Sequence, residues 1–338
     1  MRIGSPASRR LAAIAGVVLA AALAGGPAAA TTAPVPADDG ARITEEKWVD
    51  PSTLDLTVDG PALGKPQKVR VLVPKGWSPT ADRTWPVVYA YHGGNADYVS
   101  WTRQTDIEQI AARWDVMVVM PEGGKNGSYT DWWNDGAGGT PKWETFHIDE
   151  VVQLLERNYR AGTGRAALGI SSGGQGAVTY AARRPGMFRY AVSLSGILHL
   201  TKPGLPSLLM LQGMGFDSDP AKIWGRPGRD DWNWAVHDPY LLAHRLRGTG
   251  LYISSGTTGW PGPLDDPVNR PWDENFYGAT GEFIVGSTVT GFVEHLKRLG
   301  IPATTNIYGN GWHNWNYWRP ELAKSWPLMM AALGANRT

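Results

Sequence analysis

One pentapeptide restricts the fold of this chain more than any other stretch: Gly169-Ile170-Ser171-Ser172-Gly173, a G-x-S-x-G sequence. In this pattern the serine sits on a sharp strand-to-helix turn that lifts its hydroxyl clear of a sheet. The glycines permit the tight turn and the close approach of helix and strand. With 42 glycines in 338 residues the pentapeptide also arises by chance, so its flanks decide. Upstream, Ala166-Ala167-Leu168 reads as a short buried strand. Downstream, residues 174–184 are rich in small side chains and end at Pro185, as in a helix packed tightly on a sheet. Ser171 is therefore expected at a strand-to-helix turn, as a nucleophile.

The remaining pattern supplies the sheet. Apolar or alternating runs at residues 69–73, 85–91, 116–120, 190–195, 251–254 and 303–308 read as strands. Residues 106–113, 146–159, 290–299 and 322–333 read as helices. Strands alternating with helices predict an α/β fold with a mostly parallel sheet covered on both faces. Residues 200–241 and 257–281 break into Gly, Pro, Asp and Trp, and are expected as loop insertions over the ligand end of the sheet. Residues 46–338 are read as one catalytic domain.

The first 30 residues read as a signal peptide. Arg2, Arg9 and Arg10 precede an apolar run at residues 11–23, and Ala28-Ala29-Ala30 offers a cleavage site. The Arg9-Arg10 pair suggests twin-arginine export. Residues 31–45 are read as a disordered linker. The expectation is a secreted or envelope-associated protein with no stable membrane anchor after cleavage. A net charge of +1 argues against a nucleic-acid partner. Cysteine is absent, no H-E-x-x-H occurs and the histidines are scattered, so no metal and no cofactor is expected.

A serine hydroxyl needs a base. His313 is the candidate: it is the last histidine, in a loop after a predicted strand, within Asn310-Gly311-Trp312-His313-Asn314-Trp315. His92 is expected in the pocket floor and His147 at the solvent-facing side of its helix. His199, His237, His244 and His295 read as surface or structural residues. The acid that orients the base should lie between Ser171 and His313 in the chain. Asp265, Asp266, Asp273, Glu274, Glu282 and Glu294 all qualify by position, and pattern alone does not choose among them. Backbone donors for an oxyanion are expected at Ser172 and, in the His92-Gly93-Gly94-Asn95 turn, at Gly94. His92, Asn95, Trp260, Trp312 and Trp315 are candidates for substrate contact, the tryptophans by stacking on a sugar or lining an acyl channel.

Several segments together resemble the secreted mycolyltransferases of the antigen 85 complex, within the esterase D-like α/β-hydrolases. They are Tyr129-Thr130-Asp131-Trp132, Lys142-Trp143-Glu144-Thr145-Phe146, the Ser171 turn, Ser193-Leu194-Ser195-Gly196 and Gly311-Trp312-His313-Asn314-Trp315. The resemblance runs from about Gly60 to the end of the chain. It implies an α/β-hydrolase fold and a Ser-His-Glu triad whose acid falls on Glu282, and it places the second oxyanion donor on Gly94. It also implies acyl transfer from an ester donor to a sugar or lipid hydroxyl, or to water. The chain departs from the family at His92, Gly94 and Asn95, where the family carries its sugar-contacting loop, and in a longer stretch at residues 259–278. Two other readings remain: an esterase of polysaccharide esters or broad carboxylesterase, and a non-catalytic cell-wall or surface binder.

Overall fold

Nine strands build one sheet: β1 (Arg42–Asp50), β2 (Thr53–Asp59), β3 (Gln67–Leu72), β4 (Trp85–Tyr91), β5 (Met117–Pro121), β6 (Ala161–Ile170), β7 (Tyr190–Leu194), β8 (Gly250–Gly256) and β9 (Thr304–Gly309). Their order is β1-β2-β3-β5-β4-β6-β7-β8-β9. The β1–β2, β2–β3 and β3–β5 pairs are antiparallel; every pair from β5 through β4 to β9 is parallel. This computed structural model describes residues 33–214 and 219–338, so the expected signal peptide lies outside the described residues. Residues 34–338 cluster as one compact unit. Among the described residues no helix is long and apolar enough to cross a membrane.

The central strands are apolar at nearly every position because both of their faces are covered. Alternation along each strand divides the core into two layers. Val87, Tyr89 and Tyr91 of β4 point into one layer, and Val88 and Ala90 into the other. Three helices matter for the site: α1 (Ser172–Arg183), α2 (Trp272–Arg298) and α3 (Trp315–Leu333). The first layer takes Ala177, Val178, Ala181 and Ala182 of α1 with Val285, Val289, Phe292 and Leu296 of α2. The second takes Leu322, Trp326, Met329 and Met330 of α3. In α2 and α3 these positions recur at helical spacing, so each offers an apolar stripe to the sheet.

Three expectations are corrected. Residues 34–45 are not a disordered linker. The Val35 amide donates to Asn158 Oδ1 at 2.6 Å, Arg157 grips the Pro36 carbonyl, Ala37 and Ala41 are buried, and β1 begins at Arg42. The buried alanines are too small to register as an apolar pattern, and β1 is a charged edge strand, a composition that reads as solvated chain. The irregular stretch at 257–281 is helical from Trp272 onward, with Pro271 immediately before the first turn. Helix α3 starts at Trp315, ahead of the helix expected at 322–333, and runs through Pro320 and Pro327; Asn314 caps it by accepting from the Asn316 amide at 2.9 Å.

Candidate active site

Ser171 lies between β6 and α1 with φ +51° and ψ −124°, a conformation that L-residues rarely adopt. Neighbouring structure holds it there. Its amide donates to the Leu194 carbonyl of β7 at 2.8 Å, and its carbonyl accepts from the Gln175 amide at 3.0 Å. The turn is tight enough to require both flanking glycines: a Cβ on Gly169 would stand 2.0 Å from the Gly173 carbonyl oxygen, and one on Gly173 would stand 2.4 Å from the Tyr91 oxygen.

His313 is carried on the loop between β9 and α3. Its Nε2 is 2.8 Å from Ser171 Oγ and its Nδ1 is 2.7 Å from Glu282 Oε2. The loop is braced by Asp265, which accepts from the Trp312 amide (3.1 Å), the Asn314 side chain (2.9 Å) and the Tyr317 hydroxyl (2.9 Å). The Trp318 ring meets the imidazole edge-on, with centroids 4.9 Å apart. Ser171, His313 and Glu282, far apart in sequence, thus form one hydrogen-bonded chain.

Glu282 projects from the third turn of α2 and is fully buried. Its Oε1 accepts from the Gly256 amide at 2.6 Å and the Ser195 hydroxyl at 2.9 Å, with the Ser255 and Tyr308 hydroxyls at 3.1 and 3.2 Å. Burial alone would raise the pKa of this carboxyl. The hydrogen bonds from His313, Ser195 and Gly256 outweigh it and hold the group below the ordinary glutamate value. Glu282 therefore stays ionised. An ionised acceptor at Nδ1 fixes the imidazole proton there and leaves Nε2 free to accept a proton from a hydroxyl. Ser195 in turn accepts from Trp318 Nε1 at 3.0 Å, so it is held from both sides.

Two cavities meet at Ser171, and Gly94 borders both. The larger, about 490 Å³, is the more polar of the two and includes Asn95, Arg103, Arg270, Glu274, Tyr277 and His313 in its wall. The smaller, about 210 Å³, is walled chiefly by Ile197, Leu209, Ile223, Trp224, Trp234 and Val285. The Gly94 amide donates to no acceptor among the described residues. The Ser172 amide opens α1, where helical amides lack an intrahelical partner.

Of the residues expected to touch substrate, Asn95 and Trp315 line the polar cavity and three do not. His92 is buried: its Nδ1 is 2.7 Å from the Gly93 carbonyl, and its Nε2 accepts from the Gly123 amide at 2.7 Å. It ties the Gly93-Gly94 turn to a neighbouring turn and forms no part of the cavity wall. Trp312 is buried and donates to the Gly259 carbonyl at 2.9 Å. Trp260 is exposed over a separate groove. His147, expected in solvent, is wholly buried, between the Tyr180 hydroxyl (2.9 Å) and the Glu122 carbonyl (2.8 Å). Burial pushes its pKa down to about 3. It lies in a π-helical turn, Phe146–Glu150, whose extra residue shifts the helical register. Of the alternative acids, Asp265 braces the His313 loop, Glu274 lines the polar cavity, and Asp266, Asp273 and Glu294 are exposed. Sequence reasoning missed Ser195, Ser255, Tyr308 and Trp318 as partners of the acid and the base. For Ser195, Ser255 and Tyr308 the available signal was a polar residue at the C-terminal end of a parallel strand, where α/β sheets build their sites; Trp318 lies on α3 and had no such signal.

The description "putative esterase" belongs to a family model that matches residues 60–329. The diacylglycerol acyltransferase/mycolyltransferase Ag85B of Mycobacterium intracellulare is 35% identical over 270 residues, covering 74% of this chain and 76% of that protein. An esterase of Mycobacterium tuberculosis is 29% identical over 289 residues, covering 84% of this chain and 59% of the relative. The crystal structure of MPT51 from Mycobacterium tuberculosis superposes with a TM-score of 0.68 at 24% identity, over 82% of this chain and 97% of that one, and shares the fold. A serine at a strand-to-helix turn, a mostly parallel sheet of this order and a match over most of the chain have one common explanation: the chain belongs to the esterase family of serine esterases and acyltransferases with the α/β-hydrolase fold.

Proposed function

We propose that Ser171, His313 and Glu282 act as a catalytic triad, and that the protein moves an acyl group from an ester donor to a hydroxyl acceptor or to water through an acyl-enzyme. The observation that carries this reading is the unbroken chain from Ser171 Oγ through His313 to Glu282, at 2.8 and 2.7 Å.

As Ser171 Oγ bonds to the ester carbonyl carbon, its proton passes to His313 Nε2. Glu282 stabilises the imidazolium that results. The carbonyl oxygen takes up negative charge against the amides of Gly94 and Ser172. The tetrahedral species collapses with cleavage of the bond to the alcohol oxygen, which leaves with the proton from His313. Water or a second hydroxyl then enters by the same route in reverse, and Ser171 is regenerated.

The two cavities divide the ester. The leaving alcohol must lie beside the imidazole that protonates it, and His313 borders the polar cavity. The acyl group then occupies the apolar cavity on the other side of Ser171. Acceptor hydroxyls of a sugar or lipid enter from the polar side, as the mycolyltransferase relatives suggest. The open, charged character of that cavity also suits hydrolysis of carbohydrate esters, where water is the acceptor. Secretion through the N-terminal 30 residues is part of the proposal. Covalent labelling by a fluorophosphonate probe tests the reading: the wild type should be labelled and Ser171→Ala should not. A wild type that resists labelling would refute the nucleophile assignment.

A further inference from the structure

Helix α2 has two parts. From Val285 onward its apolar residues face the core, whereas its first three turns carry Trp272, Phe276 and Phe283, exposed to 77%, 49% and 57%. Their helical spacing places them on one stripe, roughly 16 Å long at about 1.5 Å per residue. The Trp272 and Phe276 rings lie near-parallel, with centroids 5.3 Å apart and planes 17° apart. Beside Phe283, an open groove of about 390 Å³ has Ala279 and Thr280 along it and Trp260, 70% exposed, in its wall. Aromatic surface this continuous marks a binding site more often than scattered apolar residues do. The stripe also adjoins the proposed active site. Glu274, Tyr277 and Gly278, on the neighbouring face of the same helix, line the polar cavity over Ser171, and the Phe276 and Tyr277 rings meet edge to face.

Charge selects the occupant. At the surface, residues 257–284 present one cation, Arg270, against the exposed carboxylates of Asp266, Asp273 and Glu274. Helices that lie on membranes carry Lys and Arg on their polar face, and anionic headgroups repel carboxylates. A sugar chain fits better. Aromatic ring faces are negative and attract the C–H faces of sugar rings. The interspersed Asp273, Glu274 and Thr280 can hydrogen-bond to sugar hydroxyls.

We propose that the stripe and groove form a binding site for a polysaccharide chain, which they lead towards the polar cavity over Ser171. That this chain carries the scissile ester or receives the acyl group rests on the acyl-transfer reading of the cavity; binding of the chain does not.

Affinity electrophoresis tests the proposal, with native gels containing acetylated xylan, arabinogalactan or β-glucan. The wild type should be retarded by at least one polymer. The double variant Trp272→Ala/Phe276→Ala, altered only at exposed positions, should migrate as in a polymer-free gel, with an unchanged melting temperature and with kcat/KM on p-nitrophenyl acetate within about twofold of wild type. Ser171→Ala should remain retarded, which separates polymer binding from ester chemistry: a wild type inert towards p-nitrophenyl acetate yet retarded would refute only the latter. The proposal is overturned if no polymer retards the wild type or if the double variant is retarded equally. It is also overturned if the wild type co-sediments with phosphatidylcholine vesicles and the double variant does not, or if the stripe proves to hold a dimer that the double variant dissociates.

Discussion

Glu282 shows how much one carboxylate can be made to do by its surroundings. It is fully buried, yet the hydrogen bonds from the imidazole, Ser195 and Gly256 keep it ionised. In the proposed mechanism its charge both sets the His313 tautomer and stabilises the imidazolium. Glu282→Gln keeps the size and loses the charge, so kcat for ester turnover should fall by about 10³–10⁴-fold, as loss of a triad carboxylate does. Steady-state kinetics with p-nitrophenyl acetate checks this; a loss below tenfold would contradict the role. The depressed pKa also has a sign for stability. A carboxyl whose folded pKa lies below its unfolded value stabilises the fold above the unfolded pKa, and that contribution is lost as pH falls through the folded one. Glu150 works the other way. It is buried, and chiefly for that reason its pKa is raised to about 7; its Oε2 has no hydrogen-bond partner. Its folded pKa exceeds its unfolded value near 4.3, so stability should fall as pH rises from about 4.5 to 7. Glu150→Gln removes that ionisation. It should raise the melting temperature at pH 8 more than at pH 5, and an equal change at both would contradict the assignment.

At the level of elements, the turn from β6 into α1 is the most constrained feature. Gly173→Ala would press a methyl group to within 2.4 Å of the Tyr91 carbonyl oxygen, a backbone atom that cannot move aside without displacing β4. Overpacking of this kind costs about 1–3 kcal/mol or more, so the variant should unfold at lower urea concentration than wild type and lose activity with it; an unchanged urea midpoint would contradict the packing described. This turn was legible in the sequence because its rule is local: a short apolar run, a G-x-S-x-G, then small residues. The buried central strands were legible for the same reason. The start of α2 was not, because Gly, Pro, Asp and Trp dominate residues 257–281 and conceal a helix whose exposed first turns carry aromatic residues where solvated ones were expected. The docked segment before β1 was hidden because what it buries is alanine. His147 was misplaced because a π-helical turn breaks the register on which helical-face arguments depend. His313 could be singled out by its place in the chain. Glu282 could not be separated from five other carboxylates until family resemblance was added, since its choice depends on how α2 packs beside β8.

Across the molecule, the sheet sets out a division of labour. Its parallel half brings Ser171, Glu282 and His313 to one edge, with a polar cavity on one side and an apolar cavity on the other. The division predicts acyl selectivity. Leu209, in the wall of the apolar cavity, is half-buried, so Leu209→Trp fills space at little cost to the core. It should reduce kcat/KM on a hexanoate ester by tenfold or more relative to the acetate ester. Equal loss on both esters would contradict the assignment of that cavity to the acyl group.

In the proposed mechanism the acyl group passes through Ser171. Rapid acid quench of the wild type with p-nitrophenyl acetate, followed by peptide mass spectrometry, tests it most directly. An acetyl group is expected on the peptide containing Ser171, formed within the first turnover and absent from Ser171→Ala. Turnover with no adduct on that peptide, or an adduct that persists in Ser171→Ala, would contradict it.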